Sequence, residues 1–210
     1  MQRTILRVMA IAVALCPAAA VAQTPKAATY ITDEEVKKVN SQPGTDRTIT
    51  VVDIGNEHFA VGIIHRGATG GAGRGTAAAG GGPPAGEPCG EAVSTAAQSG
   101  VPSGITHDSQ TEGYVIVSGG GTLVTGGHVV NGRKSAADSD VTKILNGPSC
   151  SGLIAGADVV KRVVKTGDII IIPAGVPHGW IDITDHVDYL SLRPSDHVLE
   201  AGYVHPSIKK

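Results

Sequence analysis

Short runs of β-branched and aliphatic residues, each bounded by glycine, proline or asparagine, recur along the chain from Thr48 onward. Residues 48–54 and 58–66 flank Gly55-Asn56-Glu57 and predict a β-hairpin. In the second run the period of two puts Phe59, Val61, Ile63 and His65 on one face, which is expected to be buried. Residues 113–118 and 122–125 flank Gly119-Gly120-Gly121 and read as a hairpin with a glycine turn. A polar stretch at 131–149 reads as loop, and strands are expected at 152–154, 159–164, 169–172, 179–183 and 187–192. The run at 169–172 is apolar at every position, as a strand covered on both faces would be. Helical periodicity is confined to one place. Thr32-Asp33-Glu34-Glu35 ahead of Val36 and Val39 is a capping-box start, and Pro43-Gly44 ends the helix. The pattern predicts an all-β antiparallel sandwich or barrel behind one short helix.

The N-terminus has a different character. Arg3 and Arg7 precede an apolar run at 8–15, and Ala20 and Ala22 form an A-x-A site, so residues 1–22 are expected to be a secretory signal peptide. A membrane anchor would need about 20 apolar residues. Lipidation at Cys16 would want a small residue where Leu15 stands. Removing Arg3 and Arg7 leaves 15 basic and 19 acidic side chains, hence −4, with no basic footprint for nucleic acid. The mature chain is expected to be periplasmic or secreted, with no membrane attachment after cleavage. Cys89 and Cys150 then remain, either bridged or as two free thiols.

Composition changes the picture in one region. Of the 29 glycines, 12 lie within 67–104, where 31 of 38 residues are Gly, Ala, Ser, Thr or Pro. Such a segment buries too little apolar area to offset its ordering entropy, so a flexible insertion is expected. Its Gly-Ala-Gly-Arg-Gly lacks the Gly-Lys-Ser/Thr ending of a phosphate loop. The expected organisation is a leader at 1–22, a helical segment at 23–47, a barrel at 48–200 interrupted by that insertion, and a tail at 201–210.

Candidate chemistry sits in two spaced constellations. Gly167, Pro173, Gly175 and His178 stand at the spacing G-x5-P-x-G-x2-H, with Asp182 four residues further on. This resembles the second motif of the cupin superfamily, which ends in Asn where this chain has Asp182. His107, Glu112 and Gly119 match the second half of the first cupin motif, whose first histidine position is Ile105 here. His107 and Glu112 have opposite parity, so residues 108–111 must turn or bulge if both face inward. The resemblance implies a double-stranded β-helix, or jelly roll, in which His107, Glu112 and His178 hold a divalent metal. Two imidazoles and one carboxylate suit Fe, Mn, Zn, Ni or Cu, with positions open to substrate. His65 is a candidate fourth ligand, and the competing reading makes the histidines hydrogen-bonded pocket residues. Tyr114 and Asp182 are candidates for proton transfer, by alternation with the motif residues. Tyr114 and Trp180 could line a pocket or pack a core. Arg66 and Arg193 could clamp an anion or face solvent. The implied function is metal-dependent oxygenase, isomerase or lyase chemistry on a small polar molecule. The alternative is a non-catalytic module binding a small ligand such as a sugar. The expected partners are that small molecule and, in a homodimer, a second copy of the chain.

Overall fold

The computed structural model describes residues 25–69, 86–94 and 101–209. The expected signal peptide and most of the glycine-rich insertion, 70–85 and 95–100, lie outside the described residues. Helix α1 (Asp33–Asn40) starts as its capping box requires: Thr32 Oγ1 accepts from the Glu35 amide at 3.2 Å, and Glu35 returns a carboxylate oxygen to the Thr32 amide at 2.9 Å. Its Val39 is fully buried against Ile49 and Ile63, worth about 1.5–3 kcal/mol.

The rest is antiparallel β-structure. The strands are β1 (Asp46–Asp53), β2 (His58–Gly67), β3 (Pro88–Cys89), β4 (Ser103–His107), β5 (Glu112–Thr125), β6 (His128–Lys134), β7 (Ser149–Ala155), β8 (Val160–Lys165), β9 (Ile169–Ile172), β10 (His178–Ile181) and β11 (His186–Pro194). One sheet runs β1-β2-β11-β5-β9, the other β8-β5-β10-β4-β7-β6-β3, and β5 belongs to both. Ile64, Ile116, Leu123, Val164, Ile172, Ile183 and Val187 fill the space between them together with Tyr114, Trp180 and Tyr189. Two antiparallel sheets closing on one core through a shared strand are a double-stranded β-helix.

The glycine triplet of β5 is not a hairpin turn. The strand runs unbroken through Gly119, Gly120 and Gly121, pairing with β11 and β9 on one side of them and with β8 and β10 on the other. What the triplet supplies is the bend between the sheets. Gly119 has φ 67°, and a Cβ there would overlap the His186 carbonyl oxygen. Gly119→Ala is therefore expected to destabilise by at least about 1–2 kcal/mol, the left-handed conformation alone accounting for that much. Urea unfolding tests this, and an unchanged midpoint would mean that the bend tolerates a side chain.

Three other expectations are corrected by packing. The stretch at 131–149 contains the end of β6 and a single π-turn at Val141–Leu145 rather than loop alone. Strand β9 is covered on one face only: Ile172 is buried, whereas Ile169 and Ile171 are 72% and 74% exposed. In β2 both faces are covered, one by α1 and one by the barrel interior, and it is Ile64 that joins the interior core. His65 lies on the other face, exposed at the strand end and 2.6 Å from Asp188, so it is not a fourth ligand. Residues 201–209 run back along β1, where Tyr203 and His205 exchange backbone hydrogen bonds with Val51 and Ile49.

Candidate metal centre

Three neighbouring strands deliver the motif residues to one point. His107 closes β4, Glu112 opens β5, and His178 opens β10 opposite both Ile105 of β4 and Thr125 of β5. The parity conflict is resolved by a break between strands. The chain leaves β4 after His107 and re-enters the sheet at Glu112, which puts both side chains inside. The second motif supplies the brace: Gly175, at φ 81°, donates its amide to the His107 carbonyl at 2.8 Å. His107, Glu112 and His178 are each at most 4% exposed. Ile105 shares the inward parity of His107 and is buried beside it.

The protons decide what the cluster can do. His178 Nδ1 lies 3.0 Å from the Val176 carbonyl, which only accepts, so the hydrogen sits on Nδ1. His107 Nδ1 lies 2.9 Å from Ser149 Oγ, whose own hydrogen is directed to the Gly147 carbonyl at 2.9 Å. His107 therefore also carries its hydrogen on Nδ1. Both Nε2 lone pairs then face Glu112 Oε2, at 3.3 Å from His107 and 3.0 Å from His178. Burial pushes the His107 imidazole below its ordinary value despite the pull of Glu112, which keeps it neutral near pH 7. Two imidazole lone pairs and a carboxylate oxygen converging in a buried site repel one another unless a cation sits among them.

Glu112 is held from both ends. Its Oε2 accepts from Tyr114 Oη at 2.8 Å, and its Oε1 accepts from Ser191 Oγ at 2.9 Å and Arg193 Nε at 3.1 Å. Burial by itself would raise the carboxyl, but the permanent charge of the Arg193 guanidinium and the hydrogen bonds the carboxylate accepts from Ser191 and Arg193 hold it below the usual range. Its native pKa thus lies below the unfolded value of about 4.3, so its stabilisation is complete above that pH and is lost as pH falls through the native value. Thermal midpoints of ion-free protein are expected to drop below about pH 4, and Glu112→Gln is expected to flatten that part of the profile. An identical acid limb in the variant would assign the loss to other groups.

Of the two proton-transfer candidates, the structure brings one to the cluster. Tyr114 is buried against Glu112, and burial with the adjacent carboxylate pushes its phenol well above 10, so it acts as a hydrogen donor. Asp182 is not brought there. It follows β10 at φ 53°, where the chain has turned off the strand, and is exposed, so alternation from His178 and Trp180 no longer applies. Trp180 and Tyr114 both pack on Tyr189, with ring centroids 5.4 and 4.3 Å away, as core. Arg193 neither faces solvent nor clamps a ligand: it is fully buried and bonded to protein groups on all sides. Sequence reasoning missed Ser149, Tyr189 and Ser191 as partners. For the last two a signal existed, because Val187, Tyr189, Ser191 and Arg193 alternate along β11 and all point inward.

The chain thus encloses a buried cluster of two histidines and a glutamate in a double-stranded β-helix, the fold that the motif resemblance implies. No protein-family model matches this chain, and no curated protein matches it. Among solved structures it is similar to an uncharacterized conserved protein with a double-stranded β-helix domain from Klebsiella pneumoniae, at 14% identity over 82% of this chain and 94% of that one, TM-score 0.37. It is also similar to a cupin protein from Bacteroides fragilis, at 13% identity over 72% and 78%, TM-score 0.30. A third is oxalate oxidase in complex with glycolate, at 14% identity over 75% of this chain and 55% of that one, TM-score 0.32. At such values the chemistry of those proteins does not transfer, and the site stands on this chain's own residues.

Proposed function

We propose that this chain is an exported metal-binding cupin acting on a small polar molecule. The observation that carries the reading is the convergence of His107 Nε2, His178 Nε2 and Glu112 Oε2, with both Nδ1 hydrogens already engaged elsewhere. A divalent ion held by these residues would supply Lewis-acid polarisation or oxygen activation. The chain's own groups do the rest. Ser149 and the Val176 carbonyl fix the ring orientations, Arg193 and Ser191 keep Glu112 ionised, and Tyr114 places a hydrogen-bond donor beside the same carboxylate. Tyr114, Trp180 and Tyr189 fill the interior near the cluster, which favours a small substrate. Export is supported by the basic, apolar and A-x-A order of residues 1–22 and by a disulfide between Cys89 and Cys150, a bond that persists in oxidising compartments.

Elemental analysis of tag-free protein purified without added metal tests the proposal. The parent is expected to retain a divalent transition metal and His178→Ala to lose it with the fold intact by circular dichroism. A parent that folds normally and holds none would move the function to non-catalytic binding of a small ligand.

A further inference from the structure

A second group of metal-ligating side chains lies outside the barrel cluster and shares no residue with it. Asp53 and His58 face each other across the β1–β2 hairpin, and His197 stands in the turn that follows β11. One ligand atom of each lies within 4.8 Å of the others, and the His58 and His197 rings are 4.7 Å apart.

The surrounding bonds prepare these atoms for a cation. The turn after β11 wraps His58: Ser195 donates its amide and its hydroxyl to the His58 carbonyl at 3.0 and 2.8 Å, and the Leu199 carbonyl meets His58 Nδ1 at 2.5 Å. A carbonyl only accepts, so Nδ1 carries the hydrogen and Nε2 presents its lone pair. Asp53 uses Oδ1 to accept the Gly55 amide at 2.8 Å, and among the described residues it has no lysine or arginine partner. Asp196 and His197 both take left-handed backbone conformations, φ 42° and 62°, which are unfavourable for residues other than glycine and which set His197 over His58. His197 is exposed, so its ring can close on an ion without disturbing the core.

We infer that Asp53, His58 and His197 form a second, surface-accessible site for a borderline divalent cation of the zinc or copper(II) class. Two imidazole nitrogens and one carboxylate suit such an ion, with a position left for water. Calcium and magnesium would require more oxygen ligands than this group offers. A bound ion would clip the β1–β2 hairpin to the turn after β11, joining segments about 140 residues apart in sequence.

Zinc uptake by tag-free full-length protein tests this. Zinc per chain is counted after equilibration at micromolar concentration and gel filtration, in the parent and in a His178→Ala background that removes the barrel site. His197→Gly removes the ligand while relaxing the left-handed backbone, and Asp53→Asn keeps the bond to the Gly55 amide. The expected result is one zinc fewer per chain for His197→Gly in both backgrounds, and weaker uptake for Asp53→Asn. Zinc should also raise the thermal midpoint of His178→Ala but not that of the double variant. An unchanged zinc count on His197→Gly overturns the inference. The two sites are read separately, because loss of the barrel reading would lower the parent's count without changing the difference caused by His197→Gly.

Discussion

Arg193→Ala is expected to cost about 3–5 kcal/mol and to empty the barrel site of metal, or to prevent folding altogether. The guanidinium is 0% exposed and ties four groups together. Its Nε donates to Glu112 Oε1 and to Ser191 Oγ, one terminal nitrogen donates to the Leu145 carbonyl at 2.9 Å, and the other meets both oxygens of Asp46 at 2.8 and 2.7 Å. Removing it strips two carboxylates and a carbonyl of their charged donor in a low-dielectric interior, and leaves a cavity the size of the side chain. Glu112 would then rise towards protonation and lose its value as a ligand. Arg193→Lys is expected to recover only part of the stability, since one ammonium cannot span Glu112, Leu145 and Asp46 at once. Urea unfolding and metal content measure the two effects. A variant within about 1 kcal/mol of the parent that keeps its metal would remove Arg193 from the support of the site.

The second large effect is that of the disulfide. Cys89 and Cys150 are bonded across a separation of 61 residues. A loop of that length constrains the unfolded chain by about 4 kcal/mol on the chain-entropy account. In the fold the bond ties the two-residue strand β3, which pairs with β6, to β7 of the same sheet. A Cys89→Ser/Cys150→Ser double variant is expected to unfold at markedly lower urea, and the reduced parent should match it. Equal midpoints for oxidised and reduced protein would show that the Cys89–Cys150 cross-link adds nothing to the stability of the barrel.

Local features were legible in the sequence where the signal was itself local. The capping box of α1, the β1–β2 hairpin and the need for a break between His107 and Glu112 follow from neighbours only a few residues apart. The three residues able to hold an ion were legible through motif spacing, which records a turn geometry at Pro173-Ala174-Gly175 and a strand start at His178. The failures share a cause. Three consecutive glycines permit both a tight turn and a bent strand, and only pairing with β8, β9, β10 and β11 selects the bend. Asp182 fails for a related reason: the period of two holds only while the strand lasts, and β10 ends at Ile181.

By itself, then, the sequence determined the class of fold, the short capped helix, and the identity of the three residues able to share an ion, because alternation, capping and motif spacing act over short stretches of chain. Only the tertiary structure decided that Arg193 is a buried counter-charge, that His65 is outside, that Tyr114 rather than Asp182 reaches Glu112, and that His197 comes to rest on His58. Each of these depends on which strands meet across the barrel, and charge, burial and hydrogen bonding between segments far apart in the chain are set by that meeting and not by the residues on either side.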